Sequence, residues 1–208
     1  IESNWTSGRG GDALWFDGIN GHVLVSQSAG AVVTGAPFTV TAVIWQDPAS
    51  TSEVPTLVSD VRLLAGGQWP GFVLRHAKSQ NQMVGLAGNS NVAIVAVAAT
   101  NWSPANVGRW VDVALSHDGT QARLFIDGRQ VDASVNAFDA TRQAELRIGA
   151  GHINAEASYW RGKIDDMRIF RAALGPNELM AVNDWLGDAD FDGLSNGREW
   201  ELGTDPRD

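Results

Sequence analysis

The chain has 208 residues and a mass of 22.2 kDa, enough to bury a sizeable core in one domain with an appendage. A net charge of −9 and a pI near 4.8 set its surface against phosphate backbones, which argues against nucleic acid as a partner. The absence of cysteine excludes disulfides and thiolate metal sites. No apolar run approaches the roughly 20 residues of a membrane span.

Residues 1–12, "IESNWTSGRGGD", lack the apolar centre of a signal peptide, so any targeting segment is expected to have been removed already. Strand signals then run from residue 13 to 171. In "FTVTAVIW" (38–45), Phe38, Val40, Ala42 and Ile44 alternate with Thr39, Thr41, Val43 and Trp45, a period of two written in strong β-formers. "GFVLRHA" (71–77), "VAIVAVAA" (92–99), "RWVDVALSH" (109–117), "ARLFIDG" (122–128) and "KIDDMRIF" (163–170) follow the same style. Asp118-Gly119 and Asp127-Gly128 supply the positive φ angles of tight hairpins. Many short strands with frequent turns and no long amphipathic helix predict an all-β fold, a two-sheet antiparallel sandwich.

The period changes only after Phe170. "GPNELMAVNDWLG" (175–187) offers Pro176 at a helix start, an apolar face of Leu179, Val182 and Leu186, and Gly187 as a stop. The predicted organisation is therefore a β-sandwich over 1–174 and a helix with an acidic loop over 175–208.

That loop concentrates the charge: from residue 184 onward eight acids face only Arg198 and Arg207. Within it, "DADFDGLSNGRE" (188–199) has the spacing of a helix–loop–helix calcium site. Calcium takes six to eight oxygen ligands, and alternating carboxylates before a sharp turn provide them. Asp188, Asp190 and Asp192 fill the first, third and fifth positions, and Gly193 the sixth. Leu194 gives a backbone carbonyl at the seventh, Asn196 stands at the ninth and Glu199 is the bidentate carboxylate at the twelfth. Ser195 replaces the aliphatic eighth residue through which such loops pair, so a single or serially stacked site is expected. The competing reading is an acidic linker. Hard oxygen ligands suit Ca²⁺ rather than zinc, and a structural rather than catalytic ion.

"ALWFDGINGHVLV" (13–25), "FTVTAVIW", "RWVDVALSHDGTQARLFIDGRQV" (109–131) and "WRGKIDDMRIFRAALGPNELMAV" (160–182), in that order, resemble laminin-G-like modules of secreted bacterial proteins. The resemblance covers about residues 10–182. It implies a concanavalin A-like jelly roll that often binds carbohydrate and often carries a structural calcium ion. The acidic loop, with "DGLS" at 192–195 and "GTDP" at 203–206, is similar to thrombospondin type 3 calcium repeats. The resemblance further points to a second calcium site on the sandwich at Asp17 and Asp166, with Asn20 adding an oxygen and Asp165 as the alternative to Asp166. Against this stands a plainer reading, in which Asp17-Gly18 is a turn and Asp166 an ion-pair partner of Arg168.

Sugar sites need flat aromatic faces flanked by polar groups. Of the nine tryptophans, Trp69 in "GGQWPGF" and Trp102 in "TNWSPAN" fall in turn-rich loops beside Gln68 and Asn101, and are the expected sugar contacts. Trp15, Trp45 and Trp110 fall inside strands and are expected to pack. No glutamate is followed by aspartate two residues later, the pattern of glycoside hydrolases on this sandwich, and no GxSxG elbow occurs. The expected function is a non-catalytic, calcium-binding and carbohydrate-binding module, secreted or at the cell surface, with a polysaccharide or glycan as partner. The alternative is a structural or adhesive spacer whose calcium rigidifies the junction to neighbouring domains.

Overall fold

The computed structural model describes residues 4–25, 35–61, 70–88, 95–135, 137–138, 145–151, 158–183, 192–202 and 204. The strands are β1 (Trp5–Ser7), β2 (Asp12–Asp17), β3 (Val23–Val25), β4 (Phe38–Gln46), β5 (Thr56–Ser59), β6 (Gly71–Ala77), β7 (Gln82–Gly88), β8 (Val95–Thr100), β9 (Trp110–His117), β10 (Gln121–Ile126), β11 (Arg129–Val135), β12 (Leu146–Ile148) and β13 (Arg161–Phe170). A 3₁₀ turn, Lys78–Gln80, joins β6 to β7, and two short helices follow the strands, α1 (Pro176–Val182) and α2 (Asn196–Leu202).

The strands form two antiparallel sheets. One has seven strands in the order β1-β2-β13-β4-β9-β10-β11, the other six in the order β3-β12-β5-β6-β7-β8. The predicted sandwich is therefore observed. Phe38, Val40, Ala42 and Ile44 of β4 point into the core and meet Phe72 and Leu74 of β6, Met83 and Ala87 of β7, and Val111, Val113 and Leu115 of β9. Alternation fails on β4 in one respect, since Thr39, Thr41 and Val43 on its other face are buried too. Thr39 Oγ1 donates to the Ala172 carbonyl at 2.7 Å. Beside β4, Arg9 forms a buried ion pair with Asp112 at 2.5 Å, and its backbone N–H donates to Asp165 Oδ2.

The Asp127-Gly128 turn adopts the expected geometry, whereas at Asp118-Gly119 only the glycine takes a positive φ. Asp127 and Gly128 have φ of 49° and 70°, and Gly119 has φ of 108°. β13 carries a register shift between Asp165 and Arg168, where Asp166 takes φ of 45°.

The chain separates into two compact units, residues 1–173 and 174–208. In the second, Glu178 Oε2 accepts the Gly175 N–H at 2.7 Å and so caps α1, whose Leu179 is buried. α1 ends at Val182, well before Gly187, so the predicted helix is longer than the described one.

A polar cleft at one end of the sandwich

Three connections meet at one end of the sandwich: the loop after β4, the turn between β6 and β7, and the loop after β8. They enclose a cleft of about 290 Å³ lined by Gln46, Asp47, Pro48, Ser50, His76, Lys78, Asn81, Ser103 and Val107. That volume lies near the lower end of ligand pockets, which run from roughly 300 to 1,000 Å³.

Its walls are fixed by hydrogen bonds. Asn81, at φ 52°, holds Ser103 like a paired strand: its Nδ2 donates to the Ser103 carbonyl at 2.9 Å and its Oδ1 accepts the Ser103 N–H at 2.7 Å. Lys78 ties the turn to the first loop, its Nζ donating to the Ser50 carbonyl at 2.7 Å and its backbone N–H to the Glu53 carbonyl at 3.0 Å. Asp47 is held by the Ala49 N–H on Oδ1 and by Arg161 Nε on Oδ2, each at 2.8 Å. Side chains so engaged are held in fixed positions.

Behind the cleft lies a relay that fixes a tautomer. An indole N–H only donates, so the Trp102 Nε1–H at 3.0 Å sets the oxygen of the Gln46 amide toward it. The Gln46 amide nitrogen then faces His76 Nδ1 at 2.9 Å and donates to it. In a neutral imidazole whose Nδ1 accepts, the proton sits on Nε2. Burial, with a smaller push from the Lys78 charge, lowers the His76 pKa to about 4, so the ring is neutral at physiological pH. His76 is 3% exposed, and no group among the described residues pairs with its Nε2 or with Ser50 Oγ.

The expected sugar-contact residues fare differently from expectation. Trp102 is fully buried at 0% exposure and props Gln46, so it presents no face to a sugar, which corrects the sequence reading. The turn-rich composition around it reflects a loop folded inward. Trp69 lies outside the described residues. Trp15, Trp45 and Trp110 form one cross-strand row with Lys163 on the outer face of the seven-stranded sheet. They pack on one another there: the Trp15 and Trp45 rings are 6.5 Å apart, and Lys163 Nζ stands 5.7 Å from the Trp110 ring.

The second calcium site implied by the resemblance is not assembled. Asp17 pairs in register with Arg161, five residues along β13 from Asp166, which separates the two acids by about 15 Å. Asp17 Oδ1 instead accepts the backbone N–H groups of Ile19, Asn20 and Gly21, which hold its carboxyl below the usual carboxylate range. Asp165 accepts the Arg9 N–H, and Asp166 pairs with Arg168 at 3.0 Å. The plainer reading of a turn and an ion pair is the one the geometry matches.

In the acidic loop, Asp188 and Asp190 lie outside the described residues. The described half, from Asp192 onward, is a turn leading into a helix. Asp192 Oδ1 accepts the Leu194 N–H at 2.7 Å, Gly193 takes φ of 92° where the chain turns, and α2 begins at Asn196. Asn196 and Glu199 are buried at 3% and 1% exposure, uncommon for a carboxylate on a short helix. Among the described residues no three histidines or acids cluster as a metal site. Asp192 and Glu199 are the only side-chain carboxylates of the expected calcium set in the described part of this loop.

Sequence reasoning missed the cleft, although one signal was present. His76 shares the inward phase of "GFVLRHA" with Phe72 and Leu74, and a histidine in an apolar phase needs a polar partner.

A family model described as the concanavalin A-like lectin/glucanases superfamily matches residues 17–180. No relative is found among curated proteins by sequence. Among solved structures, the chain is similar to domain 4 of AbnA, a GH43 extracellular arabinanase from Geobacillus stearothermophilus, in complex with arabinotriose. That likeness has a TM-score of 0.65 at 16% identity and covers 86% of this chain and 79% of that one. The CBM40 of Ruminococcus gnavus IT-sialidase, bound to α2,3 sialyllactose, matches with a TM-score of 0.63 at 19% identity, over 82% of this chain and 97% of that one. Domains LG4-5 of the mouse laminin α1 chain match at 0.56 and 12% identity, over 78% of this chain and 42% of that one. At such identities the structural likeness shows the fold; with the family model spanning most of its length, the chain belongs to the concanavalin A-like lectin/glucanases superfamily.

Proposed function

We propose that this chain is a non-catalytic glycan-binding module of a secreted or cell-surface protein, with the cleft around Gln46, His76 and Lys78 as its ligand site. The observation that carries the reading is a sugar-sized cleft whose polar side chains are already locked in place. Two neighbours in the fold, the arabinanase domain and the sialidase module, hold sugars in their structures, which supports the same use here. The extracellular arabinanase supports the location. Hydrolysis of a glycosidic bond needs two carboxyl groups flanking it. Asp47 is the one carboxylate lining the cleft among the described residues, and Arg161 and Ala49 already hold it.

The reading includes one calcium ion in the 188–199 loop. Gly193 at the turn and the inward-facing Glu199 fit such a site, and the ion would join the loop to α2 by neutralising its carboxylates.

A glycan array followed by NMR titration of the labelled protein tests the cleft. Bound glycan should shift the resonances of residues 46–50, 76–81 and 103. Binding to no glycan would leave the spacer role as the better reading.

A further inference from the structure

We propose that the outer face of the seven-stranded sheet carries a second sugar-binding surface, on which Trp15 and Trp45 stack against consecutive residues of a neutral pyranose chain while Arg161 and Asp47 bind its hydroxyls. This rests on the reading of the chain as a glycan-binding module and adds a separate contact surface beside the cleft.

Strand register builds this surface. Trp15 of β2, Lys163 of β13, Trp45 of β4 and Trp110 of β9 stand on one rung across four neighbouring strands. They alternate with Phe16, Ile164, Ile44 and Val111, which face the core. At about 4.8 Å between strands the rung spans roughly 14 Å. All four residues of the rung are half-buried, whereas Trp102 and Trp160 inside the sandwich have no exposure. The Trp15 and Trp45 rings lie 6.5 Å apart and are tilted by 39°, so they form two neighbouring facets rather than one plane. Trp110 stands at the far end of the rung, with Lys163 Nζ 5.7 Å from its ring and donating to the Ser7 carbonyl at 2.9 Å.

Side chains alternate along a strand, so the residues two positions nearer the cleft share this face. They are Asp17, Arg161 and Asp47. Asp17 is the register partner of Arg161, and Arg161 Nε donates to Asp47 Oδ2 at 2.8 Å. The Arg161 side chain is 37% exposed and the Asp47 side chain 15%, so both reach solvent. Arg161 spends its Nε–H on Asp47 and keeps its Nη groups as donors, while each Asp47 oxygen accepts one bond and retains a lone pair. Indole rings beside accessible donors and acceptors match a sugar, whose C–H faces stack on the rings while its hydroxyls meet the polar rung. The charges of Asp17 and Asp47 balance those of Arg161 and Lys163, so the surface favours a neutral sugar. Pyranoses with equatorial hydroxyls offer flat C–H faces that furanoses lack. The tilt between the two facets suits a single twisting chain rather than a crystalline sheet.

NMR and calorimetric titration of the labelled protein with cellopentaose, xylopentaose and the furanose arabinopentaose tests the proposal. The two pyranose chains should bind and shift the indole N–H signals of Trp15 and Trp45 and the side-chain signals of Arg161. Arabinopentaose should bind more weakly by about tenfold or more. Trp15→Ala and Trp45→Ala should each weaken the pyranose chains by about tenfold, as truncating an aromatic contact does at a binding hot spot. Trp5→Ala is the control. Trp5 is 60% exposed but pairs with Leu14, in the other phase of the sheet, so its loss should leave affinity within about twofold. Should Trp15→Ala or Trp45→Ala fail to fold, the indole shifts of the wild-type protein still give the answer. Shifts of the row without those of His76, Lys78 and Ser103 would support this surface and remove the cleft as a site. Glycan binding that shifts cleft residues and no indole of the row would overturn this surface and leave the cleft reading standing. Equal binding of arabinopentaose would overturn the pyranose assignment, and no binding by any glycan would overturn both readings.

Discussion

Trp102 donates its indole N–H to Gln46 Oε1 at 3.0 Å from a position with no solvent exposure. A tryptophan placed by its loop sequence at the surface is thus part of the support for the cleft. Trp102→Phe retains most of the ring but strands the Gln46 oxygen in a buried site, and should cost about 1–3 kcal/mol of stability. Trp102→Ala should cost about 3–5 kcal/mol through the cavity it leaves. Urea denaturation measures both. Unchanged stability in Trp102→Ala, with glycan binding lost, would return this residue to the ligand surface.

Two buried titratable groups bend the stability curve in opposite directions. Asp60 is buried with its Oδ1 accepting the Phe72 N–H at 2.6 Å, and burial raises its pKa to about 7. Between the ordinary carboxylate value of 3.8 and 7, the folded state keeps a proton that the unfolded chain has lost, so stability falls as pH rises. His76 does the reverse. Between about 4 and the ordinary 6.5 the unfolded chain takes up a proton that the folded ring refuses, so stability rises with pH. The two slopes oppose each other across that window. In Asp60→Asn, which keeps the acceptor for Phe72, the gain over wild type should grow by roughly 1.4 kcal/mol per pH unit through the acid range and level off above pH 7. In His76→Gln the difference should run the other way, growing as pH falls from 6.5 toward 4. Melting curves at half-unit pH steps read both, and a pH-independent difference in Asp60→Asn would rule out the protonated buried carboxyl.

What could be read before folding follows from the range of each interaction. The alternation in 38–45 and the Asp127-Gly128 turn are decided by neighbours a few residues apart, and β4 and the turn stand where the sequence puts them. β5, β7 and β11 were missed. "TLVS" is only four residues long, and glycines interrupt "QMVGLAG", where Gly85 packs against Leu115 of the facing sheet. The cleft was missed because Gln46, His76 and Trp102 are brought together by pairings dozens of residues apart. Asp17 and Asp166 show the converse. Both lie at turn-like positions, yet strand register sets them at different points along the sheet.

Register also makes Gly162 a fixed point of the fold. It sits on β13 opposite Phe16 on one side and Gln46 on the other, with φ of 138°. A Cβ there would collide with the Trp45 carbonyl oxygen, which is backbone and cannot swing aside. Gly162→Ala should therefore destabilise the sandwich by more than about 3 kcal/mol, combining backbone strain with overpacking. Gly11, whose Cβ would meet nothing within 4 Å, supplies the control: Gly11→Ala should change stability by less than about 0.5 kcal/mol. Equal melting temperatures for the two variants would show that β13 can shift at Gly162.

Calcium addition tests the acidic loop. Four carboxylates of one short segment, Asp188, Asp190, Asp192 and Glu199, repel one another unless a cation neutralises them. Glu199 also carries a desolvation cost, because its side chain is buried in the first turn of α2. A lone loop of extracellular type should bind with a dissociation constant of roughly 10⁻⁴–10⁻³ M. About 10 mM calcium should then stabilise the unit of residues 174–208 by roughly 1.4–2.7 kcal/mol, since the ion binds only its folded form. The measurement is protection of that unit from proteolysis, together with heat of binding by calorimetry. Glu199→Gln keeps the size of the side chain and removes the charge of the bidentate ligand, so most of the protection should disappear. Asp17→Asn should leave calcium binding unchanged, because its carboxylate is already spent on the Ile19, Asn20 and Gly21 amides. No calcium uptake at millimolar concentration would reduce the stretch to a solvated acidic tail, and uptake lost in Asp17→Asn would restore the ion to the sandwich.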